Sequence, residues 1–309
     1  MNSQSTLRRL LTAAPAAAAL LAGAPALAAP NVVYVSGAGN DANACDTINQ
    51  PCRTLQAAHD KAVAGGTVVV VDGGNYKPLV IRKSIAILNE GAGVADIEQT
   101  AAGGDAILIA AGANDIVQLR GLSLDGAGLA ANGVRLRTAA SLHIADCVAR
   151  RFAGAGFLIA PTSAATFVLD NATGSSNSNG VDIAPAGGAA KGVVENSRFF
   201  NNKNIGLRAY GGATAVTVYG GFASENANGV VVAGGASLMA RDATSSNNRT
   251  AGFAATDKSS ILRIAHSVAS GNATGVSALA GGQAESYADN NLRGNGAPFA
   301  GAFLAVATQ

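Results

Sequence analysis

The chain has no tryptophan, 3 cysteines, 2 methionines and an aromatic content of only 5%. Such a sequence cannot build its core on aromatic bulk, and a sugar site here would lack the broad indole face on which sugar rings usually stack. Charge is scarce too, at 13% of residues with a formal net charge of +2. A near-neutral chain gives no general electrostatic reason to expect nucleic acid as a partner. Long apolar runs are also missing. The longest begins after Arg8-Arg9, is broken by Pro15, and falls short of the roughly 20 residues that cross a bilayer.

That opening stretch, "MNSQSTLRRLLTAAPAAAALLAGAPALAAP", has a basic start, an apolar middle and small residues at Ala26-Leu27-Ala28. It predicts a secretory signal peptide over 1–28 and hence a secreted or periplasmic protein with no membrane span after cleavage. Leu7 precedes the arginine pair where a twin-arginine signal would carry Ser or Thr, so the ordinary export route is favoured. No cysteine stands directly after Ala28, which argues against a lipoprotein anchor.

What the chain has in abundance is Gly, Ala, Val and Asn, arranged periodically. Glycines that precede an apolar residue fall at Gly133, Gly156, Gly180, Gly206, Gly229, Gly252 and Gly275, with steps of 23, 24, 26, 23, 23 and 23. Each opens an alternating segment such as Val134-Arg135-Leu136-Arg137, the pattern of a strand with one buried face. A second apolar strand follows in every unit ("SLHIADC", "ATFVLDN", "AVTVYG"), and Gly, Asn and Ser fill the intervals where a chain must bend. Two or three short strands per turn of about 23 residues describe one rung of a solenoid, stacked at roughly 4.8 Å on the next. The leucine-rich signature and the calcium-binding nonapeptide are both absent. An all-β, single-stranded right-handed parallel β-helix remains, over 67–309 and about ten rungs, behind a lead-in at 29–66.

Asn177, Asn202, Asn226, Asn248 and Asn272 recur before the glycines at steps of 25, 24, 22 and 24. Two structural readings fit them: amides stacked inside a bend and bonded from rung to rung, or residues chosen for tolerance of left-handed turn geometry. In the lead-in, "TLQAAHDKAV" puts Leu55, Ala58, Ala62 and Val63 on one helical face, with Gly65-Gly66 as a stop. An amphipathic helix there would close the open end of the solenoid, which otherwise exposes apolar side chains and unpaired strand edges.

The segments "VVYVSGAGNDANACDTINQPCRTLQAA" and "GGTVVVVDGGNYKPLVIRKSIAI" resemble the start of secreted right-handed parallel β-helix proteins of the pectate-lyase-like superfamily. The resemblance spans about 31–296. It implies this architecture while leaving activity open, because the superfamily holds lyases, hydrolases, epimerases, tail-spikes and proteins without known activity. Export makes a Cys45–Cys52 disulfide plausible, since oxidation persists outside the cytosol. No second Cys or His pair has the spacing of a structural zinc site, and no metal site is expected. Cys147, alone after an apolar strand, reads as a small buried residue.

Two rows of side chains could carry chemistry. Outward positions after the repeat glycines are Arg135, Leu158, Asp182, Arg208, Val231, Ala254 and Ser277, then Arg137, Ala160, Ala184, Tyr210 and Ala233. Arg135, Arg137, Asp182, Arg208 and Tyr210 would share one face and could hold an acidic sugar, because guanidinium forks match carboxylates; the competing reading is a solvated strand face. A second row runs Asp125, Asp146, Asp170, Glu195, Tyr219, Asp242, His266 and Asp289, at steps of 21, 24, 25, 24, 23, 24 and 23. Stacked carboxylates such as Asp146, Asp170 and Glu195 could titrate anomalously, act as acid and base, or hold calcium; the competing reading is turn chemistry.

The paired "NTD", "DD" and "RIK" motifs of polygalacturonase-like hydrolases are missing, as is the "HxxDPHD"-like motif of mannuronan epimerases. The expectation is therefore a non-catalytic exported β-helix that presents a rigid face to a polysaccharide or cell-envelope glycan. The alternative is a lyase or hydrolase acting on uronate polysaccharide, the only case that brings in a cofactor, Ca2+.

Overall fold

In the computed structural model, which describes residues 31–287 and 289–306, the repeat is a three-sided coil. One rung shows how the sequence makes it. Ala165–Asp170 forms a strand of the first sheet, Thr173–Ser175 one of the second and Asn179–Ile183 one of the third. Between the first two, the chain bends at Asn171 (φ 48°), and between the second and third at Ser176 (φ 58°). Single left-handed residues thus do the turning, and the third side returns through a looser loop, Ala184–Ala189. Repeated, the pattern gives parallel sheets of twelve, nine and ten strands, about nine complete turns against the expected ten. The signal-peptide segment lies outside the described residues.

Inward positions fill the coil. Val134, Val181, Leu207 and Val230 are at most 4% exposed, as the alternation of their strands requires. Where a rung carries Gly192, Phe167 of the previous rung takes its place: a Cβ on that glycine would lie 2.6 Å from Phe167 Cγ. The repeat glycines have a different cause. In each from Gly133 to Gly252, a Cβ would stand 2.4–2.8 Å from the carbonyl oxygen of the next repeat glycine. The spacing of 23 or so residues is therefore the signature of backbone passing over backbone, where no side chain fits.

The Asn column resolves to the first of its two readings. Asn177, Asn202, Asn226, Asn248 and Asn272 are at most 3% exposed, and the left-handed residue is the one before each: Ser176, Asn201, Glu225, Asn247 and Gly271. Each backbone N–H donates to the side-chain oxygen of the next asparagine at 2.8–3.1 Å, and the column continues to Asn295. From Asn202 onward the side-chain amides also donate up the column, at 2.9–3.2 Å.

The helix forms over Leu55–Lys61, its first turn capped by the Thr54 hydroxyl, which accepts from Ala57 N–H. It packs on the first strands of the first and third sheets, with Leu55, Ala58 and Ala62 buried. Val63, expected on the same face, lies beyond the helix and is half-buried. Cys45 and Cys52 are joined, with Cα atoms 5.2 Å apart. Tyr34 N–H donates to Cys45 O and Cys52 N–H to Tyr34 O, so the closed loop is pinned to the leading strand Val32–Val35.

His59, 2% exposed, locks the helix onto the coil. Its Nε2 accepts from Arg82 N–H at 3.2 Å, so the ring proton sits on Nδ1 and donates to Asp60 at 2.8 Å. Burial holds this imidazole below the ordinary 6.5; Lys83 and Arg82 push the same way, and Asp60 only partly offsets them. Because the folded value lies below the unfolded one, the contribution to stability is complete above about pH 6.5 and is lost as pH falls from there toward the folded value. Urea midpoints measured from pH 7.5 to 5 should therefore fall for the wild type, and the step should shrink in His59→Gln.

Candidate functional site

The outward row expected on the third sheet is in register. Arg135, Leu158, Asp182, Arg208, Val231, Ala254 and Ser277 are successive ladder partners. The row is not an open cationic groove, however. Asp182 receives Arg208 Nε at 2.8 Å and Nη2 at 2.7 Å, and the guanidinium lies 5.5 Å from the centre of the Tyr210 ring. These three side chains satisfy one another, so the fork of Arg208 is already occupied. Arg135 lies two rungs away, 3.8 Å from Asp105, and Asn132 holds that carboxylate at 2.8 Å. Arg137 falls where the ladder skips a residue between Leu136 and Thr138. Val231 and Ala254, expected as solvated positions, are 5% and 3% exposed and pack with Ala251 into a small external apolar cluster.

The acidic row is three rows. Asp170, Glu195 and Tyr219 are true ladder neighbours at the ends of first-sheet strands, but Arg120, Ala145 and Arg241 share that row. Asp146, Asp242 and His266 sit one residue further on, at the left-handed bend, with φ of 55°, 53° and 47°. Asp125 belongs to the second sheet, in register with Glu98 and Arg150. A step near 24 residues fits any of these rows, so spacing could not separate them. Turn chemistry is the correct reading for Asp146, which pairs with Arg120 at 3.1 Å, and for Asp242, which pairs with His266. Among the described residues no group of three or more His, Cys, Asp or Glu is placed to hold a metal ion. Cys147 is fully buried, and burial pushes its thiol up to about 12, so no thiolate is available there.

Sequence reasoning missed the outer face of the second sheet. Six consecutive strands of it are three residues long: Val148–Arg150, Thr173–Ser175, Arg198–Phe200, Phe222–Ser224, Thr244–Ser246 and Val268–Ser270. In each the middle residue is buried while the outer two face solvent. The signal was present as a triplet ending two residues before each column asparagine. On this face Phe200 and Phe222 stack, with centroids 6.1 Å apart and planes at 30°. Toward the N-terminal end, Asp125 takes Arg150 Nε at 3.0 Å, Arg151 Nε at 2.8 Å and Arg151 Nη2 at 2.6 Å. Burial alone would raise the Asp125 carboxyl, but these bonds and Ala127 N–H outweigh it and hold it below the usual range. Asp96, on the preceding rung, is held above it by burial, with Asp125 and Glu98 adding to the effect.

The first sheet carries a different feature, an open trough of about 540 Å³ across four rungs, lined by Thr166, Lys191, Val193, Ala215, Thr217 and Met239 among others. The small Ala215 between Lys191 and Ser237 sinks its floor. The trough runs with the coil axis, across the strands.

Residues 162–307 match the family model of the right-handed beta helix region. Among solved structures, the chain is similar to an alginate lyase from Paenibacillus sp. str. FPU-7, with 12% identity and a TM-score of 0.60 over 88% of this chain and 99% of that one. A rhamnogalacturonan lyase matches at 14% identity and a TM-score of 0.54, over 78% of this chain and 74% of that one. Pectate lyase Pel9A matches at 14% and 0.50, over 90% and 78%. A search of curated proteins finds no match. The likeness is one of fold, and the resemblance carried by the lead-in motifs holds at that level.

Proposed function

From the right-handed parallel β-helix fold as premise, we propose that the chain is an exported protein that binds a polysaccharide or cell-envelope glycan along its sheets without cleaving it. The observation that carries the reading is the first-sheet trough. It is linear, spans four rungs, and mixes hydroxyl, amine and apolar lining, which suits the alternating polar and C–H surfaces of a sugar chain. The fold neighbours are named for polysaccharide lyases, which is consistent with glycan as the ligand class. Internal pairing of Asp182 with Arg208, Asp146 with Arg120 and Asp125 with the fork of Arg151 leaves those groups committed to structure.

The full chain should be retained on immobilised alginate, polygalacturonate, neutral glycans or envelope fractions, and should release neither unsaturated product nor reducing ends, with or without calcium. Failure to bind every glycan removes the reading.

Product release would favour a second reading, cleavage of an acidic polysaccharide. One observation supports it. Asp170 and Glu195 are ladder neighbours, hence roughly 5 Å apart at strand spacing, close to the separation used by retaining glycosidases. On that reading Glu195→Gln abolishes product. Two carboxylates supply fewer than the six to eight oxygens calcium takes, so calcium would need donors from the glycan itself.

A further inference from the structure

The outer face of the second sheet is a grid. Its strands are in continuous register, so outward residues stack into two columns. One runs Val148, Thr173, Arg198, Phe222, Thr244 and Val268; the other runs Arg150, Ser175, Phe200, Ser224, Ser246 and Ser270. Strand spacing sets neighbours within a column roughly 4.8 Å apart, and the columns themselves roughly 6.6 Å apart.

Three features of this grid call for a ligand of one chemistry. The first is the Phe200–Phe222 pair. In a chain whose largest buried side chains include Phe157, Phe167 and Phe253, two further rings stand half-buried on the outside, offering faces to C–H surfaces. The second is cationic. Arg198 is exposed, lies beside Phe222 in the ladder, and has no ion-pair partner among the described residues. Arg150 stands two rungs below and gives Asp125 only its Nε, and its side chain is 50% exposed. At the bend beside the grid, Lys203 and Arg249 are exposed, with Arg249 Nη2 on Lys203 O at 2.6 Å. Against these stands the exposed Glu225. The third is the hydroxyl column of Ser175, Ser224, Ser246 and Ser270, of which the last two bond each other at 3.2 Å.

We infer that this face binds an anionic polysaccharide, laid along the coil axis with sugar rings on Phe200 and Phe222 and carboxylates at Arg198 and Arg150. The spacing of the two arginines, roughly 12 Å counting two rungs along and one column across, is on the scale of a disaccharide repeat, so successive uronates of one chain reach both with their flexible side chains. Guanidinium forks suit carboxylates, serine hydroxyls suit sugar hydroxyls, and the stacked rings exclude water between them. Added salt should weaken the contact, as it screens exposed charge.

The inference rests on the glycan-binding reading but names a face other than the trough. Oligomers of polygalacturonate titrated calorimetrically into the full chain test it, with wild type compared with Arg198→Ala, Phe222→Ala and, in the trough, Lys191→Ala. Both second-sheet variants alter half-buried or exposed side chains, and circular dichroism checks that each keeps its strands. Loss of at least about tenfold in affinity in each, the scale of an interface anchor, supports the inference whatever Lys191→Ala does. Wild-type affinity in Arg198→Ala and Phe222→Ala, with loss in Lys191→Ala, overturns it and leaves the glycan reading standing. No binding by wild type to any glycan overturns both.

Discussion

Replacing Asn226 with alanine should destabilise the coil by about 2–6 kcal/mol, seen as a lower denaturant midpoint, because two buried backbone groups lose their partners at about 1–3 kcal/mol each. Asn202 N–H donates to Asn226 Oδ1 at 2.9 Å, and Asn226 Nδ2 donates to Phe199 O at 3.0 Å. Neither group has water within reach, since Asn202 and Phe199 are at most 3% exposed. Aspartate would do no better: it keeps an acceptor for Asn202 but turns a buried carboxylate toward Asn248 Oδ1 and Phe199 O. Asn204→Ala on the neighbouring surface, where the amide only meets Ser178 Oγ, is the control and should stay within about 0.5 kcal/mol. A loss in Asn226→Ala no larger than the control's would mean that the column does not hold the rungs together.

The second large effect is expected at the repeat glycines. In Gly206→Ala the new methyl stands 2.7 Å from Gly229 O, 2.9 Å from Asn226 Nδ2 and 3.0 Å from Ala223 Cβ. Two of those three are backbone or locked amide, so the rung must move, at about 1–3 kcal/mol for overpacking of this kind. Gly212→Ala tests the specificity of the argument: its nearest neighbour is Gly235 O at 3.9 Å, and its midpoint should barely change. Because the Gly206 methyl would press on the Asn226 amide, the double variant Gly206→Ala with Asn226→Ala should lose less than the sum of the two. Equal losses at Gly206 and Gly212 would make the glycine period a matter of turn propensity instead.

These two columns were legible from the chain alone because each obeys a rule of spacing that admits one residue type. A backbone crossing accepts only glycine, and a bend interior that must both donate and accept selects asparagine. The capping helix was legible for similar reasons, though its end came earlier than the apolar face suggested: after Lys61 the chain is already extended at Ala62 (ψ 149°). The register of Arg135, Asp182 and Arg208 also followed from the glycines. That Arg208 is consumed by Asp182 did not, since a ladder places residues side by side without stating which pair closes.

The acidic row failed for a physical reason. Strand-end residues such as Asp170 and bend residues such as Asp146 recur at the same interval, one position apart, and only the backbone's left-handed turn separates them. The second sheet escaped because a strand of three residues has two outward positions, too few for an alternation to register. Its triplets "TGS", "RFF" and "FAS" become informative only once the asparagines are known to mark the next bend.

Rigidity of the faces follows from the amide column, and amide hydrogen exchange on the intact chain measures it most directly. The backbone N–H groups of Asn177, Asn202, Asn226, Asn248 and Asn272 each donate to the next asparagine side chain. They should exchange as slowly as the central strand amides, through global opening alone. Exchange at the rate of exposed loop amides such as Gly212 would contradict a locked column, and with it the fixed spacing on which both glycan faces depend.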